Sequence, residues 1–563
     1  MTDESLNKDM EQLFSRVRQL FKSKSAVSAI VIFLIIMSAF AYRSYTFTKG
    51  NLEFGGYPIP TNWDIAIAAS LARAFYETGE TRYQPLFLTD GGQNYLNPEP
   101  VPTPLMEATL AKLLPLPPLQ GIFMAQIVAL LLIIFVSFAL LAQVFDVKTA
   151  IIAAAFSAIP SYQYLVHIYY GFYKEILTFL MVLLALWMLV LYSQRRKASF
   201  LIIFSLALGL GIINHVIDVV FYLPFLGGLF LHILLKHKSE AKTILKHSLV
   251  ALVILLVSAA LFYQFFHLGY VSYLDNLVGK TGQNFFQVQT LLPEFHNPTL
   301  SVPLLIIFSL GIIISLINMG KLSFQKKVFI LFSLYIIFLY LLSFPLNKIY
   351  LWRQFIGFPL AFVFFGIFIT TILNSLSIKE EAKTAIVVVL SIIILVSSFY
   401  SYKDTLLRYR TPDDLNQIRW EVADFVSKNT PANATVLKLE SEDNSYFFGA
   451  YHYYMDRTLY FLPGKSYLSG CAGLPNVTLL EGFYPCQYAG DRGLFYLRQG
   501  LFGEKLVERT CKRNMSILSF PVIVMSRYSD ENFSKCNAAY DQFLSSNGYK
   551  KAFSNQAYVV LQN

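Results

Sequence analysis

Asp64 stands in the run PTNWDIAIAASLARAFYETG, where Thr61 or Asn62 can cap a helix that ends at Gly79. A carboxylate in a first helical turn is held ionised by unpaired backbone N–H groups and the helix dipole, which suits a general base or a metal ligand. It equally suits an acid that only stabilises its own helix. Glu175 closes GFYKE just ahead of a long apolar run, with Tyr173 and Lys174 before it. It is a candidate second acid facing Asp64, with Lys174 a candidate phosphate contact; charges at such boundaries also simply mark a membrane interface. His167 is a lesser candidate of the same kind. His215 and Asp218 of NHVID lie at i and i+3, a spacing that lets them meet on one helical turn, although two solvated turn residues would have the same spacing. Glu294 and His296 of LLPEFHNP are candidate substrate contacts or ordinary loop side chains. Lys348 and Arg353 flank Tyr350 and Trp352 in NKIYLWRQF. There a planar guanidinium is a natural clamp for a lipid phosphate, and an aromatic belt with snorkelling cations is the other account.

The elements that carry these residues are mostly membrane spans. Of 563 residues, 55% are hydrophobic and 14% charged, with mean hydropathy +0.51, which excludes an ordinary soluble protein. A span needs roughly 20 apolar residues. About eleven stretches qualify: 26–42, 119–145, 149–166, 175–193, 199–213, 219–235, 248–266, 301–319, 328–343, 354–373 and 385–400. Pro160 interrupts the third. The formal net charge of +10 does not point to nucleic acid, because the cations cluster in alternate short loops: Arg195–Lys197, Lys236–Lys246, Lys321–Lys327 and Lys379–Lys383. Lys and Arg favour cytoplasmic loops. That rule puts the N-terminus inside and Asp64, Glu175, Arg353 and everything after residue 400 outside. Ala39-Phe40-Ala41 resembles a cleavage site, but an uncleaved signal anchor is the expectation, and the downstream topology is the same either way.

The expected organisation is a cytoplasmic leader over 1–25, a transmembrane domain over 26–400 and an extracytoplasmic α/β domain over 401–563. Within the transmembrane domain, external loops at 43–118 and 267–300 stand apart by length; the first holds a short amphipathic helix near 104–113 expected to rest on the membrane surface. In the tail, TPDDLNQIRWEVADFVSKNTP reads as a capped helix with Leu415, Ile418, Val422 and Phe425 on one face. ATVLKLE, RTLYFLP, SILSFPVIVM and QAYVVLQ read as strands, and helices are expected near 493–508 and 537–546. All four cysteines, Cys471, Cys486, Cys511 and Cys536, fall in the tail, as expected for two disulfides in an oxidising compartment. The sequons at Asn433, Asn476, Asn514 and Asn532 fall there too and are candidate glycosylation sites.

No charge interrupts the centre of a span, and no inverted repeat or phosphate-binding loop is present, which argues against ion-coupled carriers and nucleotide-driven pumps.

The order of parts resembles the GT-C superfamily of membrane glycosyltransferases. The resemblance rests on Asp64 in TNWDIAIAASLARAFYETG, the proline-rich segment ending PTPLMEATLAKL, GFYKE before the fourth span, Arg353 ahead of a late span, and WEVADFVSKNTPANATVL opening the tail. It implies a polytopic α-helical protein with a C-terminal extracytoplasmic α/β domain, and an inverting transfer of a sugar from a polyprenyl- or dolichyl-phosphate-linked donor to a glycan, lipid or protein acceptor. It implies Asp64 and Glu175 as the catalytic acids, with Arg353, Lys174 and Lys348 on the lipid phosphate; the long loop with Glu294 does not have the threonine–glutamate spacing usual in oligosaccharyltransferases. A divalent metal (Mg or Mn) on Asp64 and Glu175 is the weaker expectation, since Lys174 replaces one acid of the oligosaccharyltransferase pair and no W-W-D motif is found. The chain is therefore more similar to the protein mannosyltransferase and aminoarabinose transferase branches. A cell membrane is the expected location, or the endoplasmic reticulum in a eukaryote. A metal-dependent oligosaccharyltransferase-like enzyme and a non-catalytic scaffold or lipid-binding subunit are the alternatives.

Overall fold

The computed structural model describes residues 30–40, 63–79, 102–116, 118–158, 173–266, 298–346, 351, 353–408, 414–439, 455–461, 517–526, 541–542, 544–556 and 558–563. Helices α1 (Ile30–Phe40), α2 (Trp63–Thr78), α3 (Pro102–Leu113), α4 (Pro118–Val144) and α5 (Val147–Ala158) come first. They are followed by α6 (Tyr173–Arg195), α7 (Ala198–Lys236), α8 (Ala241–Phe266), α9 (Pro298–Ile317) and α10 (Phe324–Leu346). A 3₁₀ turn at Arg353–Gly357 leads into α11 (Phe358–Ala361), α12 (Val363–Ser375), α13 (Glu380–Arg408) and α14 (Asp414–Asn429).

Among the described residues, seven stretches are long and apolar enough to cross a membrane: Met124–Val144, Lys174–Arg195, Ala198–Val216, Asp218–Lys236, Lys238–Ser258, Phe324–Ser343 and Phe358–Ser375. The shorter apolar helices Ile30–Phe40, Val147–Ala158 and Pro303–Ile317 fall within three further expected spans, and α13 contains the last.

α7 is a hairpin rather than one long rod. His215 leaves the helical region (φ −158°, ψ 87°) and the next helical turn begins at once, so two spans are joined without a loop. Arg196, just before α7, has its Nε 3.7 Å from Oε2 of Glu240, just after it, which places both ends of α7 at one end of the bundle. α6 packs along α7, and α8 packs on the other side of it. Between α6 and α7, Phe179 and Tyr222 meet at 5.9 Å between ring centroids, and Tyr222 meets Phe332 of α10 at 5.6 Å. All three are fully buried.

The basic loops gather at one end of this bundle. Nζ of Lys236 lies 5.2 Å from the centre of the Phe324 ring, and Lys326 caps Phe145 at 5.7 Å. Lys148 pairs with Glu380 across α5 and α13, and Lys383 joins the same carboxylate at 3.0 Å. Hydrogen bonds from Lys148 and then Lys383 hold the exposed Glu380 carboxyl down at about 2. Glu175, His215 and Asp218 occupy the opposite end.

α3, the helix expected near 104–113, is packed against the bundle along one face. Its Thr103, Pro104, Glu107, Ala108 and Ala111 are buried. The small side chains let it press on α4, where a Cβ added to Gly121 would stand only 2.7 Å from Ala111 Cβ and the Glu107 carbonyl. α2 ends where Gly79 takes a positive φ of 74°, which the glycine permits without strain.

The tail forms a five-stranded sheet in the order β2-β1-β3-β5-β4, built from β1 (Thr435–Leu439), β2 (Thr458–Phe461), β3 (Val522–Ser526), β4 (Lys550–Ser554) and β5 (Tyr558–Gln562). β1 runs parallel to β2 and β3, and β5 runs antiparallel to β3 and β4. Val422, Ala423 and Val426 of α14 cover the alternate residues Val436, Val522, Val524, Tyr558 and Val560, with Ile418 and Phe425 at the margin. Four strands coincide with the expected ones. β4 does not, because KKAFS is a partly exposed edge strand with a bulge between Lys551 and Phe553 and carries no alternating apolar pattern.

Candidate active site

α6 starts at Tyr173, so Glu175 lies in its first turn. The α7 hairpin brings its bend to the same end. Glu175, His215 and Asp218 are 5%, 8% and 4% exposed, and one ligand atom from each lies within 4.8 Å of the others. His215 Nδ1 sits 3.0 Å from Asp218 Oδ2, although the two are not aligned as a hydrogen bond. Nε2 of Gln354 donates to Asp218 Oδ1 at 3.4 Å, which ties the 3₁₀ turn after Arg353 to the cluster. His215 and Asp218 are thus buried neighbours rather than solvated turn residues. They are buried because α6 packs along the bend and Gln354 reaches Asp218 from the 353–357 turn. Phe179 and Tyr222, one helical turn deeper than Glu175 and Asp218, form an apolar floor beneath the cluster.

Asn214, 1% exposed, locks the bend. It donates through Nδ2 to the Lys174 carbonyl at 2.8 Å and to Thr178 Oγ1 at 3.0 Å, while Thr103 Oγ1 donates to its Oδ1. Three helices, α3, α6 and α7, therefore meet on one amide. One turn along α3, Glu107 is fully buried and neither of its carboxylate oxygens has a hydrogen-bond partner among the described residues. Desolvation pushes this carboxyl well above the usual range, which favours its protonated form. Asn214, Thr103, Glu107 and Gln354 were not singled out in the sequence. The one available signal was for Glu107: the spacing of Pro104, Glu107, Ala108 and Ala111 puts a lone acid on a small-residue face.

The other candidates divide by where they lie. Lys174 is half-buried, with its carbonyl held by Asn214. The backbone of Asp64 is in the first turn of α2. That helix packs on α3 and α4, and α3 packs in turn on α6 and α7. The backbone of Arg353 begins the turn that carries Gln354. The side chains of Asp64 and Arg353 lie outside the described residues. So do His167, Glu294, His296, Lys348, all four cysteines, Asn476, Asn514, Asn532 and the helix expected near 493–508. Asn433 is exposed just before β1.

A link outside the cluster joins α2 to the tail. Arg73 bonds Glu77 at 2.7 Å on its own helix and Asp456 at 2.6 Å just before β2. Next to it, buried Arg457 closes the C-terminal end of α14, donating to the carbonyls of Ser427 at 2.7 Å and Thr430 at 2.8 Å.

Chemically, two carboxylates and an imidazole at this spacing can accept a proton, orient a nucleophile or ligate a cation. A helical membrane bundle followed by a small sheet domain is similar in fold to solved GT-C enzymes. Residues 100–263, which hold α3 to α7, most of α8 and the whole cluster, match the family model of dolichyl-phosphate-mannose-protein mannosyltransferase. Among solved structures, ArnT from Cupriavidus metallidurans bound to undecaprenyl phosphate is similar at 12% identity, covering 96% of this chain and 98% of that chain with a TM-score of 0.54. The Archaeoglobus fulgidus oligosaccharyltransferase in the apo form is similar at 13% identity, covering 89% of this chain and 70% of that chain, also with a TM-score of 0.54. At the level of sequence, no curated protein matches.

Proposed function

We propose that this chain is a membrane glycosyltransferase that moves a sugar from a polyprenyl- or dolichyl-phosphate-linked donor to an acceptor on the extracytoplasmic face. The observation that carries the reading is the buried Glu175–His215–Asp218 cluster at the end of the bundle opposite the basic loops. It lies inside the stretch that matches the mannosyltransferase family model. The similar ArnT structure is bound to undecaprenyl phosphate, which supports a lipid-phosphate donor. That match spans 98% of ArnT, whereas the oligosaccharyltransferase match spans 70% of that enzyme. The fuller coverage favours transfer of a single sugar over transfer of a preassembled block.

In this reading Asp64 takes the proton of the acceptor hydroxyl as the oxygen attacks the anomeric carbon, and the bond from that carbon to the lipid phosphate breaks. Arg353, with Lys174 or Lys348, stabilises the charge on the departing phosphate. Glu175 is the second acid of the site, and Glu294 and His296 contact substrate. Attack from the face opposite the leaving phosphate gives inversion. A positioned base of this kind contributes ~10²–10⁴-fold in rate. The gathering of the basic loops at the other end of the bundle supports a cytoplasmic N-terminus and an extracytoplasmic tail.

The test is transfer by the purified full-length chain in lipid nanodiscs. Radiolabelled polyprenyl-monophosphate sugars are offered beside nucleotide sugars, with glycan, lipid and protein acceptor fractions. Label should move from a lipid-linked donor only. Turnover of nucleotide sugars alone, or no binding of polyprenyl phosphate and no transfer, would sink the proposal.

A further inference from the structure

The polar cluster at the α7 bend has a geometry that acid–base chemistry does not account for. His215 Nδ1 and Asp218 Oδ2 approach to 3.0 Å, yet Asp218 Oδ2, on a residue only 4% exposed, accepts no hydrogen bond among the described residues. A His–Asp pair built for proton relay would aim the ring N–H at the carboxylate. Two atoms with lone pairs at that separation and out of line are instead placed like neighbouring ligands of one cation. Bonds of about 2.1 Å at angles of about 90° to 109° put adjacent ligand atoms roughly 3.0–3.4 Å apart. Glu175 supplies a third ligand atom within 4.8 Å, so side-chain shifts of at most about 1.5–2 Å would close the set. Gln354, donating to Asp218 Oδ1, holds the remaining carboxylate oxygen as an outer partner does in metal sites.

We infer that Glu175, His215 and Asp218 form a binding site for one divalent transition-metal ion of the Mn²⁺–Zn²⁺ group. Two carboxylates suit Mg²⁺, Ca²⁺ or Mn²⁺, and imidazole suits Zn²⁺ and its neighbours; a mixed set selects where the two groups overlap. The ligand set differs from the Asp64–Glu175 pairing expected from the sequence, since two of its three members come from the α7 bend. A cation there offsets the buried Asp218 carboxylate, whose Oδ2 has no hydrogen bond among the described residues. It also pins the α7 bend to the first turn of α6. The inference concerns binding and holds whether or not sugar is transferred.

The test uses the full-length chain in nanodiscs, stripped with EDTA and titrated with Mn²⁺ under electron paramagnetic resonance detection, with Zn²⁺ and Mg²⁺ as competitors. About one equivalent of Mn²⁺ should bind, displaced by Zn²⁺ and poorly by Mg²⁺. Asp218→Asn, close to isosteric, should remove the site, as should His215→Ala. Gln354→Leu should weaken it by about 10–100-fold. Glu240→Gln, at the basic end, should leave it unchanged. Thermal unfolding of each variant shows whether it is folded. Absence of bound Mn²⁺ in the folded wild-type chain, or full binding by a folded Asp218→Asn variant, would overturn the assignment. Binding without detectable transfer would leave this site standing and count against the transferase reading alone.

Discussion

Replacing Asn214 with alanine tests how the site is assembled. Its side chain makes three buried hydrogen bonds: from Thr103 Oγ1, to the Lys174 carbonyl at 2.8 Å and to Thr178 Oγ1 at 3.0 Å. Each such bond contributes about 0.5–1.5 kcal/mol net, and each buried partner left unpaired costs about 1–3 kcal/mol. The losses are unequal. Thr178 lies four residues after Lys174, so its freed hydroxyl can rotate onto the Lys174 carbonyl and satisfy both groups. Thr103 is in the first turn of α3 and has no carbonyl of its own helix behind it. The expected loss is therefore about 2–4 kcal/mol, dominated by the stranded Thr103. Equilibrium unfolding by SDS titration in mixed micelles gives this value. Thr103→Val combined with Asn214→Ala should show a coupling of at least about 0.5 kcal/mol. A loss below about 0.5 kcal/mol for Asn214→Ala, or simple additivity in the double variant, would refute the latch.

Other predictions concern the surrounding elements. Glu107 has its carboxyl raised by desolvation, so the folded state holds a proton that the unfolded chain releases as pH rises through its ordinary range. The associated stability is complete below the unfolded value and is lost as pH climbs towards the folded one. Glu107→Met, which also removes the two unpaired oxygens, should raise the melting temperature more at about pH 8 than at about pH 5; a lower melting temperature at both would contradict this. Arg73→Met severs the ion pair from α2 to Asp456. The pair is partly exposed, so the stability change should stay below about 1 kcal/mol. Limited proteolysis should nonetheless cut between α2 and the tail faster, and wild-type protein in high salt should resemble the variant.

Much of the fold was legible because its signals are redundant. Long apolar runs mark spans without regard to partners, and the alternating basic loops do meet at one end, with Arg196 against Glu240 and Lys148 against Glu380. The strands covered by α14 were legible from β-branched runs that are buried on one face. The edge strand β4 was not, because an exposed strand with two lysines has no periodicity to read. At the site, His215 and Asp218 were visible as a pair through their i, i+3 spacing. Their burial was not, because it depends on α6 and Gln354 closing over the bend from 40 to 136 residues away. Thr103 and Asn214 were silent for the same reason: a hydrogen bond across 111 residues leaves no local pattern. Glu107 was hidden in an alanine-rich turn, and its burial comes from the close approach of α4 at Gly121, which leaves no local pattern.

The measurement that bears most directly on the central claim is the single-turnover transfer rate of Asp64→Asn and Glu175→Gln, with binding of polyprenyl phosphate measured on the same preparations. The account predicts that Asp64→Asn loses ~10²–10⁴-fold in rate while lipid-phosphate affinity stays within a few-fold of wild type, and that Glu175→Gln also falls steeply. Wild-type transfer by the folded Asp64→Asn variant would contradict it.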